Sequence, residues 1–436
     1  MKNSGIEWIG EIPDSWETKT IKQLLIERIE KNSEYQTSTI LSLSAKNGVT
    51  LYDGEHHAGN RPREDLSDYK VVYPSDIVAN SMNILSGSVG LSAYKGCVSP
   101  VYYIYYPRSN DNIEFLHYVF QCKQFQLSLR GLGNGILIKE SEKGNLNTIR
   151  MRIPAQKLAA QVFPYCSSET QQKIVDFLNE KLSQVDELIA NLQAQIEKLK
   201  EYKESVITEA VTKGLDKSAP MKNSGIEWIG EIPDGWGIRR AKFLADSFLK
   251  GNGITKEDIV VDGDSPCVRY GEIYTKYDIS FDVCATRTNL DKVSSPQYFE
   301  YGNILFVCTG ELVEEIGKNI VYLGKDNCLA GGDIIVMKHS QNPLYLSFAL
   351  NSYISQCQKS CNKAKLKVVH ISAGDIGNVY IAIPSIEEQK KIALYLKNKC
   401  DGINRIIAIK QEKIEKLQEY KKSLIYEYVT GKKEVV

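Results

Sequence analysis

The 436 residues contain no run of 18 uncharged apolar side chains, no cationic leader ahead of an apolar core, and no excess of charge, since 54 Lys and Arg balance 54 Asp and Glu. The first two absences exclude a membrane-spanning helix and a secretory signal, so a cytoplasmic location is expected. The third excludes a polybasic coat but leaves room for a local basic groove, because binding depends on where charges sit. Histidines number 5, and the 10 cysteines are scattered, with only Cys357 and Cys361 close together. Zinc sites and disulfide frameworks need regular pairing, so reduced thiols and no metal are expected. Glu55, His56 and His57 read as a solvated loop, since adjacent histidines do not easily face one ion.

Catalytic motifs are also missing. Gly310 to Lys318 ends in Gly-Lys, but it has six intervening residues rather than four and Asn319 where a phosphate-binding loop needs Ser or Thr. The glycines at 131, 133 and 135 follow a helical pattern rather than a strand and read as a helix stop. Asn342-Pro343-Leu344-Tyr345 is similar to the Asn-Pro-Pro-aromatic motif of amino-methyltransferases, but Leu344 replaces the second proline and no cofactor-binding glycine motif accompanies it. A turn into a helix is the better reading. No catalytic residue is assigned, and no cofactor is expected in this chain.

What is present is a repeat. MKNSGIEWIGEIPDSW at 1–16 returns at 221–236 with Ser15 replaced by Gly235, and IEKLKEYKESVITEAVT at 196–212 returns at 414–430 with twelve identities in seventeen. The offset of about half the chain makes the protein two consecutive copies of one unit. The middles diverge, keeping a thin skeleton: Asp76-Ile77-Val78 with Val89-Gly90 against Asn303-Ile304-Leu305 with Ile316-Gly317. The expected organisation is an anchor segment at 1–16, a variable domain at 17–154, a linker and long helix at 155–220, a second anchor at 221–236, a second variable domain at 237–384 and a second long helix at 385–436. In the anchors, Trp8, Pro13 and Trp16 read as structural pins for a turn against the helix ends.

Ser168 and Ser385 open capping-box patterns, and Gly214 and Gly431 stand just past the last periodic residues, which predicts helices over about 170–212 and 387–430. A heptad seam runs through Leu178, Leu182, Val185, Ile189, Leu192, Ile196 and Leu199, and through Leu396, Ile403, Ile407, Ile414, Leu417 and Leu424. Only Lys410 and Lys421, the latter matched by Lys203, interrupt it. At 1.5 Å rise, such helices are rods of roughly 60 Å, longer than a small domain is wide. Connectivity makes the pair antiparallel. The expected fold class is therefore α+β: two globular mixed α/β domains at opposite ends of a long antiparallel two-helix coiled coil, with an internal pseudo-two-fold repeat. The second helix end is then expected beside the first anchor. The middles read as mixed domains with strands near 98–106, 303–308, 333–338 and 379–383, and helices over 113–130 and 344–360.

Two different heads on one frame suit a duplex, whose features repeat about every 34 Å. Arg61, Arg63, Asn80, Asn83, Tyr94, Lys95, Arg130 and Lys139 in the first head, and Lys256, Arg269, Tyr270, Lys276, Tyr277, Arg287 and Lys325 in the second, are the candidate DNA-binding residues. Basic and amide side chains read base edges and hold phosphates, and aromatics interleave them. The segments 79–88 and 306–315, between paired skeleton positions, are the best placed for selectivity.

The doubled Ile-Glu-Trp-Ile-Gly-Glu-Ile-Pro-Asp-x-Trp openings, Ile383-Pro384-Ser385-Ile386-Glu387-Glu388-Gln389 leading into the second helix, and the repeated Ile-Glu-Lys-Leu-x-Glu-Tyr-Lys helices resemble the specificity subunit of a type I restriction-modification system, along the whole chain. The resemblance implies a non-catalytic, sequence-specific double-stranded DNA-binding subunit. Each variable domain is a target-recognition domain for one half of a bipartite, asymmetric site. Two methyltransferase subunits and ATP-driven restriction subunits are the implied partners, and adenosylmethionine, ATP and Mg belong to them. The alternative is a coiled-coil adaptor whose heads bind proteins, which salt dependence distinguishes. One departure stands out: sixteen residues separate Ile153-Pro154 from Gln171, against four between Pro384 and Gln389, so an extra dozen are expected at the first domain's exit.

Overall fold

A computed structural model describes residues 1–54, 62–133, 139–140, 146–147, 152–310, 316–361 and 369–435. The chain forms two units, Met1–Leu192 with Glu412–Val436, and Gln193–Gln411. Both divisions fall inside the long helices, Ser168–Lys213 and Ile386–Val429, so each unit holds part of both.

In the first unit the opening segment is a hairpin, Lys2–Asn3 against Glu11–Ile12, pinned by buried Ile9, Ile12 and Trp16. The strand Glu17–Thr20 then pairs antiparallel with a return strand, Val162–Tyr165. Between them lies a four-stranded antiparallel sheet ordered Leu25–Glu27, Tyr102–Pro107, Ile77–Asn80, Val89–Leu91. Side chains alternate across a strand, and here both faces are covered. Ile77, Ala79, Tyr103 and Tyr105 enter the main core with helix Ile113–Gln121, while Val78 and Ile104 join Leu41, Leu43 and Val49 on the other side.

The second unit repeats the frame: the hairpin Met221–Asn223 with Glu231–Pro233, then Gly237–Arg240 paired with the return strand Tyr380–Ile383. Its main sheet has five strands, ordered Ala245–Lys250, Ile334–His339, Ile304–Val307, Asn319–Tyr322, Ser280–Phe281. Ile304 and Phe306 face one core, Leu305 and Val307 the other. A further four-stranded sheet, ordered Thr286–Thr288, Ser265–Val268, Cys328–Ala330, Tyr298–Phe299, belongs to this head.

The helices predicted at 113–130 and 344–360 are each two helices, Ile113–Gln121 with Lys123–Ser128 and Pro343–Asn351 with Tyr353–Ser360. Each breaks at a single extended residue, Cys122 or Ser352. The strand predicted at 98–106 is interrupted, as Gly96–Val98 and Tyr102–Pro107, by a turn at Ser99. Asn342 caps its helix by accepting from the Tyr345 amide at 2.9 Å, which is the turn into a helix expected there.

Two expectations are corrected. The first long helix is capped by Ser167, whose hydroxyl accepts from the Thr170 amide at 3.3 Å, rather than by Ser168. The extra dozen residues do not lie between Pro154 and Gln171. Pro154 precedes the short helix Ala155–Ala159 as Ser372 precedes Ala373–Gly377, and the return strands then match position for position at an offset of 218. Residues 155–165 therefore belong to the first globular domain and not to a linker. The surplus lies between Cys122 and Pro154, which are 32 apart where Ser352 and Ser372 are 20 apart.

Within each unit the long helices run antiparallel. In the first, Asp186 meets Lys421, and the Phe177 and Tyr428 rings lie 4.4 Å apart. In the second, Lys203 bonds Asn404 at 3.0 Å and Lys410 bonds Gln195. All three lysines that interrupt the seam thus find a polar partner. Leu178, Leu182, Val185, Leu192, Ile414 and Leu424 in the first unit, and Ile196, Leu396 and Ile403 in the second, are buried; Ile189, Leu199, Ile407 and Leu417 are half-buried. Gly214 and Gly431 end the helices in the left-handed conformation (φ +74° and +68°). Gly214 packs on Trp236 and Pro233, and Gly431 on Trp16 and Pro13. The second helix end therefore lies beside the first anchor, as the repeat demands.

Candidate nucleic-acid interface

In the first head the segment 79–88 connects neighbouring strands by a folded loop. The Asn80 side chain accepts from the Met82 amide at 3.0 Å, and the Asn83 and Ser88 amides donate to the Asn80 and Asn83 carbonyls at 3.1 and 3.2 Å. Buried Ile84 and Leu85 fasten it to the core, which leaves the Asn83 side chain exposed and that of Asn80 half-buried. Tyr94 and Lys95, both exposed, occupy the turn after the adjoining strand. The Lys95 ammonium lies 5.3 Å from the Tyr73 ring centre, and the Arg28 guanidinium lies 4.6 Å from that ring and 4.5 Å from Tyr106. Arg28 also makes a two-pronged bond to buried Asp76, at 2.9 and 3.0 Å. That hydrogen bond is the main reason its pKa rises further, against the cost of burial.

Asn80 and Asn83 precede the strand Val89–Leu91 and Tyr94 and Lys95 follow it, so the two pairs lie at opposite ends of that strand. Arg130 is exposed after the second short helix, and Arg63 is exposed elsewhere, its amide donating to the Tyr69 hydroxyl at 3.2 Å. Lys139 belongs to a two-residue strand paired with Leu146–Asn147. Arg61 lies outside the described residues, as do Glu55, His56, His57, the glycine-rich positions from 134 and the acidic stretch 311–315.

The second head gathers its candidates around its smaller sheet. Arg269 and Lys276 flank Glu272, at 3.6 and 2.9 Å, and the Glu272 carboxylate also accepts from the Arg269 amide at 3.0 Å and from the Thr286 hydroxyl at 2.8 Å. Burial raises the Glu272 pKa, but these bonds and Lys276 outweigh it and the net shift is downward. Tyr270 is exposed on the same short helix, and Lys256 and Lys325 are exposed on nearby turns. Two candidates have internal tasks instead. Arg287 donates to the carbonyls of Gly263 and Asp264 at 2.5 and 3.0 Å, and the Tyr277 hydroxyl accepts from the Ala285 amide at 2.7 Å. Neither role is written in composition or spacing, because it depends on which loop folds back onto the strand.

Sequence reasoning missed Arg28 and Glu272. Arg28 has no neighbouring basic residue and pairs across 48 positions, so the only signal was its later partner, the skeleton position Asp76. Among the described residues no cluster of three or more His, Cys, Asp or Glu could hold a metal, the cysteines are free thiols, and no helix is long and apolar enough to cross a membrane.

Residues 233–418 match the family model of the type I restriction modification DNA specificity domain. The chain is 23% identical, over 97% of its length and 95% of the relative's, to a protein assigned as the type I restriction enzyme MjaX specificity subunit of Methanocaldococcus jannaschii. It is 24% identical to the MjaVIII specificity subunit of the same organism, over 73% of this chain and 69% of that one. Among solved structures, its fold is similar to a chain from a type I R-M system studied for complex assembly and conformational transition, with TM-score 0.67 and 13% identity over 96% of this chain and 98% of that one.

Proposed function

We propose that the chain is a specificity subunit of a type I restriction-modification system, whose two heads read the two halves of one asymmetric double-stranded DNA site and so direct adenine-N6 methylation and restriction by partner subunits. The observation that carries this reading is the frame. Anchors match at an offset of 220, and return strands and long helices at 218, while the heads they hold have different sheets. One repeated support presenting two unlike surfaces suits an unlike pair of half-sites. In the first head the sheet connections bearing Asn83, Tyr94 and Lys95 would face the duplex, and in the second the helix bearing Arg269, Tyr270 and Lys276. A specificity subunit is the recognition component and not the catalyst, so adenosylmethionine, ATP and Mg would be bound by its partners.

Those partners would be two methyltransferase subunits joined by restriction subunits. Support for a pair comes from the long helices. Leu188 and Ile406 occupy equivalent positions, as do Tyr202 and Tyr420, and each is about half exposed, between 46% and 53%. All four flank the seam on the same heptad position, so each unit carries one aliphatic and one aromatic side chain that a partner would cover.

The test is to express the chain with the methyltransferase subunit of its system in a host without adenine methylation and map N6-methyladenine by single-molecule sequencing. A split motif that vanishes when this chain is omitted is the expected result. Exchanging 17–165 for the equivalent domain of a relative should alter one half-site only. A fully assembled, cofactor-loaded complex that methylates no defined motif would overturn the proposal in favour of the adaptor reading.

A further inference from the structure

The two anchor segments differ at one residue in sixteen, and most of that identity has an internal cause. Lys2 and Lys222 bond the carbonyls of Asp14 and Asp234, and Asn3 and Asn223 accept from the Gly5 and Gly225 amides at 2.8 Å. Ile9, Ile12 and Trp16 are buried, as are Ile229, Ile232 and Trp236. The Trp236 indole donates to Glu388 at 3.0 Å. Trp16 and Trp236 are therefore the structural pins expected of them. Trp8 shares that role in part, since it packs on the first unit's core, whereas its counterpart Trp228 is exposed. Trp8 is half-buried with one edge on Phe125, and Trp228 is 50% exposed. Beside them Glu7 and Glu227 are exposed, and among the described residues no hydrogen bond or ion pair of either side chain is found. Exposure alone does not preserve identity, because the repeated helix has drifted at exposed positions such as Lys200 and Gln418, or Glu204 and Lys422.

These unaccounted residues line a groove in each unit at the same place in the frame. In the first unit a cavity of about 670 Å³ is bounded by Glu7, Trp8, Gln124, Leu127, Gln161 and Tyr426. In the second, one of about 370 Å³ is bounded by Glu227, Trp228, Gln358, Asp375, Val379 and Tyr380. Gln161 and Val379 hold the same position, just ahead of the return strands. Each groove has a tryptophan and at least one carboxylate and no Lys or Arg among its bounding residues; its tyrosine, Tyr426 or Tyr380, already has a cation of this chain over its ring, Lys432 at 5.4 Å and Arg240 at 4.8 Å, so Trp8 and Trp228 with Glu7 and Glu227 are the groups left for a partner. An aromatic face beside a carboxylate attracts a cation twice, through the ring quadrupole and through charge.

We propose that the twin grooves each receive an arginine or lysine from one kind of polypeptide that binds this chain in two copies. The identity of that polypeptide rests on the reading above: it is the methyltransferase subunit. The grooves orient it on the frame, while the exposed helix flanks supply apolar contact. Because the anchors are shared and the heads are not, this contact is indifferent to the DNA sequence being read.

The experiment uses the full chain with its methyltransferase subunit, followed by native mass spectrometry and titration. The variants are Glu7→Arg, Glu227→Arg and the pair together. Both sites are exposed, so folding should be intact, and equal melting temperatures verify it. Each single reversal is expected to weaken the uptake of one methyltransferase copy about tenfold, and the pair to weaken both. Trp8→Ala and Trp228→Ala should follow the same pattern. Binding of the isolated chain to its DNA site should be unchanged. Wild-type affinity and stoichiometry in the folded double reversal would overturn the inference and leave the proposed function standing. If the wild-type chain takes up no methyltransferase subunit, both fall together.

Discussion

The two heads answer the same structural problem differently. At the shared turn before the central strand, the first head has Asp76, whose carboxylate accepts from the Tyr73 amide at 2.8 Å, and the second has Asn303, whose amide oxygen accepts from Glu300 at 3.1 Å. The turn needs only an acceptor. The first head adds a function to it, because the charged carboxylate also holds Arg28 between two tyrosine rings. Frame positions thus preserve a backbone requirement, while the chemistry attached to that requirement is free to differ between heads.

The sharpest test of the common frame is its buried glutamine. Gln171 accepts from the Asn112 amide at 2.8 Å and donates to the Cys166 carbonyl at 3.0 Å; Gln389 accepts from Asn342 at 3.0 Å and donates to Pro384 at 3.1 Å. Both glutamines are fully buried, and each ties a helix N-cap in its head to the entry of a long helix. Gln171→Leu and Gln389→Leu should each cost about 3–5 kcal/mol, since both strand a buried amide and a carbonyl. Thermal unfolding measures the loss, and hydrogen exchange should place it in the unit that carries the substitution. Markedly unequal losses would break the equivalence of the two frames.

A head-specific difference is probed by Asp76→Asn. The turn bond should survive, as it does at Asn303, but Arg28 loses its counterion. The expected cost is about 2–3 kcal/mol, below that of a fully buried pair because Arg28 retains contact with water. The double variant Arg28→Met with Asp76→Asn should recover part of it, as read by denaturant midpoint. An Asp76→Asn protein as stable as wild type would show that the ring stack alone holds Arg28.

The repeat, the long helices and their seam were legible because periodicity and identity are local properties of a sequence. Ser167, rather than Ser168, caps the first long helix, a one-residue error between adjacent serines that only the hydroxyl's partner resolves. The misplaced dozen residues have a different cause. Ile153-Pro154 resembles Ile383-Pro384 in letters, but Val162–Tyr165 is the strand that pairs with Glu17–Thr20, and pairing across more than 140 positions leaves no mark in composition. The candidate interface was partly legible. Asn83, Lys95, Tyr270 and Lys325 are exposed as a contact requires, whereas Arg287 and Tyr277 are absorbed by hydrogen bonds that only the fold creates. In the anchors the same kind of residue has two fates, since Trp16 is buried and Trp228 is exposed, and the letters alone did not separate them.

The smallest expected effect depends on pH. Counting from the helix caps Asn112 and Asn342, His117 in the first head corresponds to Ser347 in the second; Ser347 is fully buried, while His117 is half-buried with its Nε2 inside. Ser347 bonds the Ile279 carbonyl and the Asn319 side chain at 3.2 and 3.0 Å and does not titrate. Burial pushes the His117 pKa down to about 4 from 6.5, and its Nε2 has no partner among the described residues. Between those two values the unfolded chain binds the proton and the folded chain does not. His117 therefore leaves stability unaffected above pH 6.5 and reduces it progressively as pH falls toward 4. At pH 5.5 the loss from this one group is about 1.4 kcal/mol. His117→Gln should flatten that part of the acid limb for the first unit, read by hydrogen exchange at pH 7 and pH 5.5. Ser347→Ala should shift stability by the same amount at both values, because it removes hydrogen bonds and no titration. An unchanged acid limb in His117→Gln would mean that the imidazole reaches solvent or a proton acceptor once the head begins to open.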